Sequence, residues 1–260
     1  MNSPIPLKQP LPAPDLAYIH RRRFLFNFLA KYYWRIETAG LEHLPHEGRA
    51  ILVGNHRGFI PFDAIMVLDL IQRHSGRVPR FLVHPGLLKF RPIARFVTAM
   101  GGVLADRANA ARVLEADEIL GVLPEGVEGA FSLHRNAYQL KSFGRDDFVK
   151  MALRHRAPIV TFVIVGSADA LPIFARIQSR WWRRRMQWPY FPIALPAPLP
   201  SKWHVQFLPP LDVYEAHSPD SASDRRIVSA ISLDVRNQMQ QALDQILSRR
   251  RSIFWGSAFK

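Results

Sequence analysis

Apolar and polar positions along this chain fall into short segments whose period changes again and again. "AILVGN", starting at Ala50, is a continuous apolar run, as expected of a central strand covered on both faces. "PFDAIMVLDLIQRH" follows it with a helical pattern. Pro61 stands where a first turn tolerates it, and apolar residues recur at Ile65, Met66, Leu68 and Leu70. The exchange then repeats. "RFLVH" reads as strand, "FRPIARFVTAM" as helix, "GGVLAD" as strand, "ANAARVLEAD" as helix and "EILGVLP" as strand. "GRDDFVKMALRHR" puts Phe148, Val149, Met151 and Ala152 on one helical face, ahead of a second buried strand, "APIVTFVIVG". "WRIETAG" opens the series as a short strand and "HVQFLPPLDV" closes it. Such alternation predicts an α/β fold: a single domain with a mixed, mostly parallel sheet flanked by helices.

The two ends depart from that pattern. Asp224 to Arg251 reads as one long C-terminal helix with Ile227, Ile231, Val235, Met239, Leu243 and Ile246 on its apolar face. Its last turn carries "SRRR", which favours the helix dipole. At the other end, residues 1–15 hold five prolines. Residues 1–17 are therefore expected as a flexible Pro-rich arm, 18–34 as a basic, aromatic, amphipathic helix, and 35–260 as the domain proper. On that helix Phe24, Leu25, Phe28 and Tyr32 share one face, while Phe26 and Tyr33 spill round the other side. Two readings follow: a helix buried against the domain, or one that dips aromatic rings into a lipid interface beside Arg21, Arg22 and Arg23. The region 170–215 crowds tryptophan, proline and arginine together and reads as an irregular excursion.

Charge narrows the partners. Lys and Arg number 35 against 21 acids, a formal charge of +14 over 260 residues. That excess points to nucleic acid, a phospholipid surface or an acidic carrier protein. The absence of cysteine excludes disulfides, thiolate metal sites and a cysteine nucleophile. No apolar window is long enough to span a bilayer, and the N-terminal stretch has no signal-peptide core. The expected location is cytoplasmic, with membrane contact confined to the surface of the inner face.

Candidate chemistry gathers where strands end, since reactive groups in α/β sheets collect at the carboxyl ends of strands. His56 ends the Ala50 run, and Asp63 arrives in the first turn of the next helix. An aspartate there can hold the imidazole in one tautomer and stabilise the imidazolium. Ser3 and Ser75 are placed near it by no pattern, so such a pair would act on a hydroxyl supplied by a substrate. Backbone N–H groups between Asn55 and Gly58 are the expected oxyanion donors. Taken alone, H-x6-D also fits a histidine that merely caps a loop. Glu125 and Gly126 follow the strand "EILGVLP", where glycine lets backbone N–H groups approach a ligand and a carboxylate can orient a hydroxyl; a plain turn is the alternative. Arg107, ending "GGVLADR", offers a forked cation to a phosphate or carboxylate, or a salt-bridged helix start.

The order N-H…D, G-x-x-x-x-D-R, P-E-G and a P-I-V strand, carried by Asn55, His56, Asp63, Gly101 to Arg107, Pro124 to Gly126 and Pro158, resembles the lysophospholipid acyltransferase superfamily, which includes the 1-acylglycerol-3-phosphate acyltransferases. The resemblance covers about Trp34 to Gly166. It implies that His56 is the catalytic base and Asp63 its charge partner, with Asn55 beside them. Arg107, Glu125 and Gly126 would lie at the acceptor's polar head, and Pro158 on the acyl-donor side. It implies acyl-CoA or acyl carrier protein as thioester co-substrate, a glycerolipid or lysophospholipid acceptor, an anionic membrane surface, no nucleic acid, no cofactor and no metal.

The chain departs from the family's pattern in three places. The usual spacing is H-x4-D, although a branch related to the acylglycerol acyltransferases is similar to "NHRGFIPFD". The third motif commonly continues Thr-Arg, where this chain has Val127-Glu128. Thr161 replaces the fourth motif's second proline. A phosphate-bearing acceptor would then need Arg107, Lys141 or Arg145. Two other readings stand beside this one. A lipid hydrolase or remodelling enzyme would share the dyad but use no thioester. A nucleic-acid-binding protein would fit the net charge and the Arg/Trp interleaving at 180–188, though no nucleic-acid motif is present. Vesicle binding that weakens with salt and on removal of residues 1–34 is the expectation for a lipid-surface protein.

Overall fold

The computed structural model describes residues 11–58, 60–144, 146–186 and 188–259. In chain order the strands among these are β1 (Glu37–Ala39), β2 (Ala50–Gly54), β3 (Arg80–Val83), β4 (Val103–Leu104), β5 (Ile119–Val122), β6 (Ile159–Val165), β7 (Ile173–Ile177), β8 (Phe191–Ala194) and β9 (His204–Phe207). Seven form one sheet in the order β1-β9-β6-β2-β5-β3-β4. β6, β2, β5, β3 and β4 run parallel. β9 is antiparallel to β6, and β1 pairs with it in parallel. The α/β architecture with a mixed, mostly parallel sheet is therefore the one the alternation implies.

Complete burial of β2 and β6 explains their unbroken apolar runs. Successive side chains point to opposite faces of the sheet. Ile51, Val53, Val163 and Val165 pack with Val149 and Leu153 of the Asp147–His155 helix and with Met239 and Leu243 of the C-terminal helix. Leu52, Phe162 and Ile164 pack on the other side with Met66, Val67 and Ile71 of the Phe62–Ser75 helix. β2 ends on Gly54 for a steric reason: a Cβ there would lie 1.9 Å from the Phe162 ring. The chain is thus brought close to β6 just before His56.

The C-terminal helix runs Arg225–Arg249, and the Asp224 side chain accepts the N–H groups of Arg226 and Ile227 as its cap. Its buried stripe is Val228, Ser232, Val235, Met239, Leu243 and Ile246. Ile227 and Ile231 are only half-buried, so the first turns are rotated by one residue from the expected face.

The reading of a helix buried against the domain holds for one side of the N-terminal segment, and the other side is exposed. It is split into Leu16–Arg21, Arg23–Phe28 and a π-helical turn at Leu29–Tyr33. Ile19, Phe26 and Trp34 are core residues, and Trp34 stacks on Trp203 at 4.3 Å. Phe24, Leu25, Phe28 and Tyr32 are exposed, Phe24 at 85%. The arm expected over 1–17 is tied down along its described part: Arg80 donates to Pro12 O, and Asp15 N donates to Ala99 O at 2.9 Å. Residues 1–10 of that arm lie outside the described residues.

The stretch expected as irregular contains a hairpin. β7 and β8 pair antiparallel, joined through the Arg180–Met186 helix. Ile173 and Tyr190 root it against Phe131. The pattern hid it because Pro192 interrupts one strand and most side chains of both face outward.

His204 on β9 is buried, and neither ring nitrogen has a hydrogen-bond partner among the described residues; Glu37 Oε2 stands 3.5 Å from Nε2. Burial lowers its pKa from 6.5 to about 4, against the opposing pull of Glu37. The unfolded imidazole takes up its proton first on acidification, so stability is lost as pH falls from about 6.5 to about 4. The shift corresponds to about 3 kcal/mol. Urea midpoints of wild type and His204→Leu are expected to fall between pH 7 and pH 4.5, with the smaller fall in the variant. Equal falls would contradict this account of His204.

Candidate active site

The segment leaving β2 is built around three consecutive side chains with different tasks. Asn55, fully buried, donates from Nδ2 to Ile164 O at 3.0 Å and accepts Ile164 N at 2.7 Å through Oδ1. Its amide thus continues the β2–β6 pairing beyond the last backbone pair, Gly54 with Phe162. That fixes where His56 begins.

His56 Nδ1 lies 2.9 and 2.8 Å from the two Asp63 oxygens. Asp63 is 1% exposed, and its oxygens also accept Arg57 N and Ala64 N, each at 2.8 Å. A carboxylate cannot donate, so Nδ1 carries the hydrogen and Nε2 is the nitrogen able to take a proton. Asp63 sits in the first turn of the Phe62–Ser75 helix, where the dipole favours negative charge. Six residues separate His from Asp, yet the loop folds back: Gly58, at φ +96°, donates to Ala130 O at 3.1 Å and re-aims the chain toward the helix start.

Arg57 is the hub of the site, and no sequence pattern pointed to it. Nη1 and Nη2 donate to Glu125 Oε1 and Oε2 at 2.6 and 3.0 Å. Nη1 also donates to His56 O at 2.7 Å, Nη2 to Gln139 O at 3.2 Å, and Nε to Ala137 O. All five guanidinium hydrogens are thereby engaged. The two side chains are 1% and 0% exposed. The available signal was an arginine hard against a buried strand, which demands a buried acid; Glu125 leaves β5, the strand beside β2.

Glu125 is therefore closed off: Oε2 also accepts Lys141 N at 2.9 Å. It ties the β2 loop, the β5 loop and residues 137–141 together. Gly126 is exposed at φ +54° and opens the short Gly126–Ala130 turn of helix. Arg107 is brought to neither: its side chain is 76% exposed and pairs with Asp147 at 3.0 Å. Lys141 Nζ donates to Glu128 O at 2.9 Å. Arg145 lies outside the described residues. Pro158 stands at the amino end of β6, away from the His56 end of the β2–β6 pair, where its carbonyl accepts Ile51 N.

A second cluster braces the 134–141 segment. Asp169, nearly buried, lies 2.8 Å from His134 Nε2 and accepts Tyr138 OH and Arg250 Nη1, each at 2.6 Å. Burial pushes its carboxyl up, but hydrogen bonding from His134 and the Arg250 charge hold it below the ordinary value. Among the described residues no three His, Asp or Glu side chains converge as a metal site.

The family model described as Acyltransferase matches residues 35–165, half of the chain. An uncharacterized protein of Mycobacterium tuberculosis strain H37Rv is 34% identical over 245 residues, 90% of this chain and 68% of that protein. One of Mycobacterium leprae is 36% identical, over 90% of this chain and 66% of its own length. Phytyl ester synthase 2, chloroplastic, of Arabidopsis thaliana is 26% identical over 82% of this chain but only 34% of itself. The crystal structure of the 1-acyl-sn-glycerophosphate acyltransferase PlsC from Thermotoga maritima shares the fold, at TM-score 0.54 and 19% identity, over 90% of this chain and 84% of that one. On the family match and the mycobacterial identity, the chain belongs to the Acyltransferase family and is an acyltransferase.

Proposed function

We propose that this acyltransferase moves a fatty acyl group from a thioester, acyl-CoA or acyl carrier protein, to a hydroxyl of a glycerolipid or lysophospholipid at an anionic membrane surface. The observation that carries the reading is the His56 Nδ1–Asp63 pair, which leaves Nε2 as the proton acceptor. Nε2 takes the acceptor's hydroxyl proton as the oxygen attacks the thioester carbonyl. Asp63 stabilises the imidazolium that results. Collapse of the tetrahedral intermediate breaks the C–S bond, and the imidazolium returns the proton to the departing sulfur. Among the described residues the side-chain hydrogen bonds of His56 go to Asp63, in keeping with direct transfer without an acyl-enzyme. Arg57 N and Gly58 N are engaged by Asp63 and Ala130, so neither is the oxyanion donor. Asn55 and Glu125 act by holding the loops, and the exposed Gly126 opens the turn that contacts the catalytic loop. An ester-forming relative, as the name phytyl ester synthase states, supports a hydroxyl acceptor. Radiolabelled acyl-CoA mixed with lipid alcohols should yield free thiol and labelled ester in equal amounts. Labelled fatty acid in place of ester would favour hydrolysis instead.

The surface supports a peripheral position on the inner face of a membrane. Among the described residues no helix is long and apolar enough to cross a bilayer. Exposed Phe24, Leu25, Phe28 and Tyr32 adjoin Arg21, Arg22 and Arg23, and the hairpin exposes Phe174 and Ile177 beside Arg176. Cations next to interfacial rings are what such contact needs, at roughly 1 kcal/mol per Lys or Arg near an anionic surface. Removing residues 1–34 is a poor test, because it strips Ile19, Phe26 and Trp34 from the core. Phe24→Ser/Phe28→Ser, at exposed positions, is expected to weaken co-sedimentation with phosphatidylglycerol vesicles while leaving thermal unfolding unchanged. Undiminished binding, or binding that ignores salt, would count against this surface.

A further inference from the structure

Resting on acyl transfer at His56, we infer that the acceptor is a neutral lipid alcohol, an acylglycerol or long-chain alcohol carrying no phosphate. Among the described residues Arg57 is the cation bonded to the His56 segment, through Nη1 to His56 O. A phosphate held there would need guanidinium hydrogens, and all five already have acceptors within the protein. Its charge is also balanced by Glu125, with both side chains sealed from solvent. Freeing Arg57 for a phosphate would leave the Glu125 carboxylate buried and uncompensated, which the Lys141 N–H alone does not offset.

Of the other cations expected to meet a phosphate, the two among the described residues are turned elsewhere. Arg107 pairs with Asp147, and Lys141 Nζ is drawn to the carbonyl of Glu128, an exposed acid on the Gly126–Ala130 turn. That turn contacts the catalytic loop directly, through Gly58 N and Ala130 O. An anionic head group arriving beside His56 therefore finds the Arg57 charge already neutralised by Glu125, with the exposed acid Glu128 on the adjoining turn. Between His56 and Asp63 the loop presents Ile60, 38% exposed, an apolar contact suited to a lipid chain. Discrimination of this kind works by leaving the wrong partner's charge unpaired.

A matched pair of acceptors tests it. 1-Oleoylglycerol and 1-oleoyl-lysophosphatidic acid differ only in the phosphate. Each is presented to the full chain in neutral detergent micelles with labelled oleoyl-CoA, at salt high enough to screen the attraction of a +14 protein for an anionic lipid. The expected result is a kcat/KM for the monoacylglycerol at least about tenfold above that for the lysophosphatidic acid, the ratio that 1.4 kcal/mol of lost stabilisation produces. Equal or faster use of lysophosphatidic acid overturns the inference and leaves acyl transfer standing. Loss of that advantage in Lys141→Ala would then identify the phosphate's ligand. Failure of every acceptor, a long-chain alcohol included, to release thiol overturns both the inference and the acyl-transfer reading beneath it.

Discussion

Asp63→Asn is expected to lower the maximal rate of acyl transfer by about 10²–10⁴, the range typical of a positioned acid–base group. The substitution keeps the size of the side chain and removes two things. The first is the negative charge that stabilises an imidazolium at His56. The second is the tautomer, because an amide nitrogen facing Nδ1 asks it to accept rather than donate, which moves the hydrogen to Nε2, the nitrogen that must be bare. Asparagine also satisfies Arg57 N and Ala64 N less well than a carboxylate, which accepts both at 2.8 Å, so a stability loss of about 1–3 kcal/mol accompanies it. Rates measured well below the variant's melting temperature separate the two effects. The KM for the thioester should change little, because Asp63 is buried behind the imidazole. A maximal rate within a few-fold of wild type would remove Asp63 from the mechanism.

Arg57→Met is expected to destabilise the fold by about 3–5 kcal/mol, the usual cost of leaving one member of a buried ion pair alone. The partner left behind is Glu125, whose side chain is 0% exposed and would keep only the Lys141 N–H. Three carbonyls, of His56, Ala137 and Gln139, lose their donors as well. The double variant Arg57→Met/Glu125→Gln should recover a large part of the loss, since removing both charges relieves the uncompensated one. Urea midpoints for the four corners of that cycle measure it. Additive losses, with no recovery in the double variant, would mean that the pair is not the electrostatic unit its geometry describes. Activity should fall further than stability alone accounts for, because the same guanidinium fixes the carbonyl of His56.

Much of this architecture is legible in local pattern. β2 and β6 announce themselves because a strand covered on both faces must be apolar at every position, and the Phe62–Ser75 helix because Pro61 and the period after it agree. What local pattern does not carry is the partner across space. Nothing near His204–Phe207 says that β9 runs against β6, since direction depends on the excursion before it. The β7–β8 hairpin is hidden by outward-facing side chains. His56 and Asp63 could be paired in advance because a strand end and the next helix start are neighbours in any α/β sheet. Glu125 could be located but not assigned. Its position at the end of β5 follows from the strand, whereas its closure by Arg57 depends on β5 lying beside β2. Asn55 likewise reads as a neighbour of the base, and turns out to be held by the backbone of Ile164.

Transfer of labelled acyl groups from acyl-CoA to a lipid alcohol by wild type and by His56→Ala, compared at equal protein and matched folded fraction, bears most directly on His56 as the base. Wild type should form labelled ester with one thiol released per ester, and the alanine variant should do so about 10²–10⁴ times more slowly. Equal rates of ester formation in the two proteins would contradict that role and require another group to take the proton.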